Sequence, residues 1–312
     1  MVPRTPVPVR QTSAVLAIVF GLATAILWAT TLLSSARASR LLGPWSTLAW
    51  VMLIGLVITV PFVLLTAPSV TLTQRDLTLM AIAGASNSGG LLLNYAAVRR
   101  GKVAVVGPIV STEGAIAALL AVIAGDPLTG AVAVVLALIV VGVVLASIER
   151  SAGDPELAVD VAAATAGRTS SSGDTGIAVA LAIGGAVLFG INLFVTSRIA
   201  DALPIAWTVL PARLAGVVFV TIPLVLFRRL TIVRAAVPFV VIVGVCEVMG
   251  IATFSLGARV SAPVTAVIAS QFAGIAAVAA YFLFGEKIGR IQAVGVVLIA
   301  IGVAALAATQ AL

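Results

Sequence analysis

The sequence predicts an all-α integral membrane protein of ten transmembrane helices, arranged as two inverted five-helix repeats. Three observations predict this class. Of 312 residues, 62% are hydrophobic and 9% charged, with a mean hydropathy of +1.25, where a soluble domain carries roughly 25% charged residues. The apolar residues fall in blocks of about twenty, the length a helix needs to cross a ~30 Å hydrocarbon core. The third is an ungapped internal repeat at an offset of 160 residues, the pattern of paired structural units. A membrane β-barrel would instead show segments of about ten residues with alternating polarity, and the sequence has none.

Charged or Pro/Gly-containing breaks delimit ten candidate spans. The first five cover residues 14–33, 47–66, 77–98, 103–124 and 128–148. The second five cover 176–198, 205–227, 234–256, 262–284 and 291–310. Arg4 and Arg10 ahead of the first span resemble the charged region of a signal peptide. The run they precede is long for a cleaved segment and contains Trp28, so it is read as a mature helix. Between the fifth and sixth spans lies the long polar connection, which holds Glu149, Asp154, Glu156, Asp160, Asp174 and a serine run. It reads as a solvated linker, 149–175, between a first half, 1–148, and a second, 176–312.

The repeat is densest where RRGKVAVVGPIVSTEGAIAALLAVIAGD (99–126) pairs with RVSAPVTAVIASQFAGIAAVAAYFLFGE (259–286). It matches Arg99 with Arg259, Gly114 with Gly274 and Gly125 with Gly285, and elsewhere Pro44 with Pro204, Gly84 with Gly244 and Gly90 with Gly250. Glycine matches fit close helix contacts in a bilayer. Each half has an odd number of spans, so the second half must sit upside down relative to the first. That is the inverted repeat of secondary transporters, whose sites lie near the midplane between the halves.

NYAAVRRGKVAVVGPIVSTEGAIAALLAVIAGD and FSLGARVSAPVTAVIASQFAGIAAVAAYFLFGEKIGRIQAVGVVLIAIGVAAL resemble the paired EamA domains of the drug/metabolite transporter superfamily. The most specific piece is Gly285, Glu286, Lys287, Gln292 and Gly295. The resemblance implies a ten-helix carrier of small metabolites with a central cavity lined by the first, third, fourth, sixth, eighth and ninth spans. It also implies a cytoplasmic N-terminus. Asp126-Pro127 departs from the usual pattern and is read as a loop change.

Ionisable residues inside a bilayer are expensive and usually mark a transport or proton path. Glu113, Arg213 and Glu247 are three such residues, and the repeat duplicates neither glutamate, since Glu113 pairs with Ala273 and Glu247 with Asn87. Helical spacing places Asn87 and Asn94 on one stripe of the third span with Gly84 and Gly90. Thr112, Asn192, Gln271 and Trp28 complete the candidate substrate-binding or coupling residues. Each polar residue has a plainer role available. Ser, Thr or Asn often bonds its own backbone or a neighbouring helix, Trp28 could be packing, and Arg213 with Glu247 could be a buried ion pair that fixes two helices.

Composition also excludes. The chain has no His and the single Cys246, so a Ser-His-Asp site and an intrachain disulfide are ruled out, and no metal or cofactor is expected. Its net charge of +7 is scattered over short loops and gives no nucleic-acid face. No nucleotide-binding G-x-x-x-x-G-K-[ST] occurs. The chain therefore reads as a non-enzyme, multi-pass in the cell membrane. Its expected role is secondary transport of a small metabolite or amphipathic compound by alternating access, with protons exchanged through Glu113 or Glu247. The alternative is a non-transporting sensor or assembly subunit whose polar stripes only specify packing. The partners expected are the lipid bilayer, a small-molecule substrate and protons; nothing in the sequence chooses between monomer and homodimer. Sidedness divides the indications. Twelve basic residues fall on one side and five on the other, so the positive-inside rule favours an external N-terminus, against the resemblance. The charge rule is followed here.

Overall fold

The computed structural model describes residues 9–101, 103–125 and 172–276, plus isolated helical positions beyond them. Apart from those positions, the fifth and tenth predicted spans, residues 149–171 of the linker, the end of the ninth span and the Gly285–Gly295 signature lie outside the described residues, and the last four residues of the expected linker, 172–175, are helical. Within them the chain is helical, with no strand. α1 is Val9–Leu42, α2 Pro44–Thr66, α3 Gln74–Arg100, α4 Val103–Val110 and α5 Glu113–Ile123. α6 is Ser172–Ala202, α7 Ile205–Gly216, α8 Ile222–Leu226 and α9 Val237–Ala269. Among the described residues, five helical segments are long and apolar enough to cross a membrane. They are Val15–Leu42, Pro44–Ser69, Gly176–Ala202, Ile205–Leu226 and Arg234–Ala262. α3, at 27 residues, is also long enough, but Ser86, Asn87, Ser88 and Asn94 make it more polar.

The boundaries follow from local chemistry. α1 ends at Gly43, whose φ of 81° suits a residue without a side chain, and Pro44 opens α2 where no N–H donor is needed. Thr73 caps α3: its hydroxyl accepts from the Asp76 N–H at 3.2 Å, while the Thr73 N–H donates to Asp76 Oδ2 at 2.9 Å. Hydrogen bonds from the Thr73 side chain and backbone hold the Asp76 carboxyl below its ordinary range. A depressed carboxyl stabilises the fold above its unfolded pKa and loses that contribution as pH falls through the folded value. Thr73→Ala is therefore expected to fray the first turn of α3, seen as faster amide exchange at residues 74–77, and to weaken this acid dependence.

Two predicted spans are not continuous. The span at 103–124 breaks at Ser111-Thr112, between α4 and α5. There the Thr112 N–H donates to Ile109 O at 3.2 Å, and the Thr112 hydroxyl donates to the same carbonyl at 2.7 Å. A hydroxyl competing for a backbone carbonyl tightens the turn and interrupts the α ladder. The ninth span breaks in the same way at Ser270-Gln271, where the Gln271 N–H donates to Ile268 O at 3.1 Å and the Ser270 hydroxyl to Val267 O at 2.8 Å. α9 also turns sharply at Ser261 (φ −157°, ψ 101°), which separates the eighth and ninth predicted spans. The seventh span carries a widened π-helical turn, Val217–Thr221, between α7 and α8.

Many described boundaries recur 160 positions apart. Leu42 and Ala202 end α1 and α6, Thr66 and Leu226 end α2 and α8, and Gly101 and Ser261 are the extended joints after α3 and within α9. Arg259 donates to Ala200 O and Leu203 O at 2.7 and 2.6 Å, closing the α6–α7 corner. Its counterpart Arg99 lies beside Gly43 at the α1–α2 corner.

Packing also gives directions. α9 runs antiparallel to α1, with Arg37 over the Phe239 ring, Trp28 against Gly250 and Phe20 beside Gly257. α6 runs antiparallel to α3, with Phe189 against Gly90 and Ala178 against Gly101. Since α1, α2 and α3 alternate in direction, α6 runs opposite to α1, its counterpart at the 160-residue offset.

Small residues set the closest approaches. A side chain at Gly84 would bring its Cβ to 2.7 Å from the Pro211 carbonyl oxygen, a backbone atom that cannot swing aside. Gly84→Ala is expected to cost about 1–3 kcal/mol by overpacking, read as earlier heat-induced loss of monodisperse protein. Gly176→Ala, which meets nothing within 4 Å, serves as the neutral comparison. Large apolar side chains such as Phe62, Leu65, Phe219 and Leu226 lie on the outer surface, as a bilayer-embedded protein requires.

Candidate functional site

A cavity of about 40 Å³ lies where α1, α3, α5, α6 and α9 converge. Trp28, Asn87, Asn94, Glu113, Asn192 and Glu247 all line it, bringing together six of the residues singled out from the sequence. Thr31, Leu32, Leu91, Val110, Phe189, Leu193 and Phe272 complete its wall. Its size admits a few water molecules.

Each polar group reaches the cavity for a local reason. Glu113 is the first residue of α5, immediately after the Ser111-Thr112 break, and is 4% exposed. A carboxylate at a helix N-terminus is favoured by the unpaired N–H groups there. Among the described residues no hydrogen bond or ion pair engages its side chain. Asn87 and Asn94 sit two turns apart on α3, both buried, and neither Oδ1 has a hydrogen-bond partner among the described residues. Asn192 on α6 accepts a long hydrogen bond, 3.4 Å, from the Thr196 hydroxyl. Trp28 stacks on Phe254 with ring centroids 6.1 Å apart and meets Phe272 edge-on at 6.4 Å.

Glu247 has a different setting. Its Oε2 lies 3.6 Å from Arg213 Nη2, an ion pair with the guanidinium wholly buried. Arg213 stands behind Glu247, outside the cavity wall, and rests against Gly55, where any side chain would collide with its Cδ. Its Nη1 donates to Met52 Sδ at 3.4 Å, while Nε and Nη2 have no hydrogen-bond partner among the described residues. Tyr95, also fully buried, has a hydroxyl with no hydrogen-bond partner among the described residues.

Two other candidates turn away from the cavity. Thr112 spends its hydroxyl on Ile109 O at the helix break. Gln271 donates from Nε2 to Val267 O at 2.8 Å, with Oε1 buried and without a partner among the described residues. Neither lines the cavity. The third-span stripe also divides: Asn87, Leu91 and Asn94 face the cavity, whereas Gly84 faces the α7 backbone. Sequence reasoning missed Phe189 and Phe272, because a ring aimed at a cavity and one aimed at lipid look alike in an apolar helix. Phe189 had one signal, lying one position from the 160-residue counterpart of Trp28. Each ring covers the matching glycine of the other half, Gly90 and Gly250.

Lipid-facing helices around a buried cavity with two carboxylates define a multi-pass membrane protein with an intramembrane ionisable site. Residues 15–148 match the model of the EamA-like transporter family, in agreement with the resemblance read from the sequence. A solved structure described as "Crystal structure of protein" is 17% identical, with a TM-score of 0.70 over 93% of this chain and 95% of that one. At that identity the likeness concerns the fold alone. No curated protein matches the chain at a significant level.

Proposed function

We propose that the chain is a secondary active carrier of a small metabolite or amphipathic compound, working by alternating access between two inverted five-span halves, 1–148 and 176–312, joined by the linker 149–175. The observation that carries this reading is the cavity between the halves, with Glu113 and Glu247 buried in its wall. Recurring boundaries and the opposed directions of α1 and α6 support the inverted arrangement. The paired breaks at Ser111-Thr112 and Ser270-Gln271 support a midplane site, since interrupted helices in membranes are tolerated where they border a cavity.

Glu113 is the proposed coupling residue. A carboxylate that takes up a proton on one side of the membrane and releases it on the other can exchange protons for substrate, and Glu113 lacks the guanidinium that neutralises Glu247. The test is uptake of radiolabelled metabolite pools into proteoliposomes with and without a pH gradient. Gradient-dependent accumulation is expected. Protein that is monodisperse and moves nothing points instead to the sensor or assembly role.

The cell membrane is the proposed location, with the Arg99, Arg100, Arg228 and Arg229 side cytoplasmic under the charge rule. Arg100→Cys, in a background lacking Cys246, is then expected to resist an impermeant thiol reagent added to intact cells. Labelling from outside would place the N-terminus in the cytoplasm.

A further inference from the structure

We propose that the cavity recognises an organic cation, an ammonium group carried on an apolar or aromatic body. The inference rests on the carrier reading and names the substrate class of the same site. Its basis is the balance of charge. Two carboxylates line the cavity and, among the described residues, no Lys or Arg does. Arg213 is paired with Glu247 at 3.6 Å and stands behind it, wholly buried, so one negative charge is met from within the protein. Glu113 is left with no hydrogen bond or ion pair among the described residues. An entering anion would find like charge and no cation to receive it. An entering ammonium would supply the missing counter-charge in a site of low dielectric, where such pairing is strongest.

The rest of the wall fits the same ligand. Trp28, Phe189 and Phe272 put three aromatic rings in the wall, and a cation over an aromatic face is attracted by its quadrupole. The buried, unpartnered Oδ1 atoms of Asn87 and Asn94 are acceptors that an N–H donor would satisfy. A bare inorganic cation would use the oxygens and leave three rings without a role, so the aromatic wall favours an organic body. The cavity must widen to admit it, as alternating access requires.

Three probes of matched shape test this: phenethylammonium, neutral 2-phenylethanol and anionic 3-phenylpropionate, each measured by equilibrium dialysis against the full-length protein in detergent. The ammonium is expected to bind at least about tenfold more tightly than either partner, a difference of about 1.4 kcal/mol. Glu113→Gln should reduce it to the level of the alcohol, while Glu113→Asp, which keeps the charge, should retain the preference. Equal binding of all three probes, preference for the anion, or unchanged ammonium affinity in Glu113→Gln would overturn the cation inference and leave the carrier reading standing. Displacement of the ammonium by sodium ions alone at equal concentration would overturn it as well. Absence of binding by every probe, joined to absence of metabolite uptake in proteoliposomes, would overturn both readings.

Discussion

Glu113→Gln is expected to abolish pH-driven accumulation and, by weakening substrate binding about tenfold, to leave exchange measurable at correspondingly higher substrate concentration. The amide keeps the shape of the carboxyl group and its hydrogen-bonding capacity but cannot carry a proton across. With one proton exchanged per monovalent substrate, each unit of pH difference supports about tenfold accumulation, since one pH unit is worth about 1.36 kcal/mol. The wild type should approach that ratio in proteoliposomes, and the variant should fall to about one. Counterflow of labelled against unlabelled substrate needs no proton movement and should persist once substrate is raised about tenfold to offset the weaker binding. Loss of both activities at that raised concentration, in a monodisperse variant, would make Glu113 a binding residue without a coupling role. Unchanged accumulation would assign coupling elsewhere, with Glu247 next in line.

The second large effect lies behind the cavity. Arg213→Met leaves the buried Glu247 without its guanidinium, and removing one member of a buried pair typically costs about 3–5 kcal/mol. The variant is expected to lose its monodisperse state at a markedly lower temperature. Adding Glu247→Gln removes the stranded charge, so the double variant should recover most of the loss, and the cycle of four proteins gives the coupling directly. Additive losses in the double variant would show that Arg213 matters for its packing on Gly55 alone. The cycle also asks whether the pair is only structural, because a double variant that folds and still exchanges substrate needs neither charge for recognition.

Much of the scaffold could be read from the chain, because bilayer thickness and backbone hydrogen bonding leave few choices. The corners at Gly43-Pro44, Gly101 and Ser261 stand where polar, Gly or Pro residues interrupt apolar runs. Helix breaks inside the fourth and ninth spans were not legible. Both segments are mostly apolar, with Ser111-Thr112-Glu113 and Ser270-Gln271 as short polar groups, and the interruption comes from Thr112 and Ser270 donating to carbonyls three residues back, a choice that hydropathy does not record. The site shows the same division. Intramembrane charge identified Glu113, Glu247 and Arg213, and helical spacing identified Asn87 and Asn94. Which side chains turn back on their own helix, as Thr112 and Gln271 do, depends on rotamers set by packing. The rings of Phe189 and Phe272 needed the fold to reveal that they look inward.

The central claim is that the cavity beside Glu113 opens alternately to the two sides of the membrane. A single cysteine at Asn192, in a background where Cys246 is replaced by Ala, reports on it most directly. In oriented vesicles a small, permanently charged thiol reagent should react at position 192 when supplied from either side alone. A substrate that transport assays identify should slow both reactions. Reaction from one side only, at the same rate with and without that substrate, would contradict alternating access at this cavity.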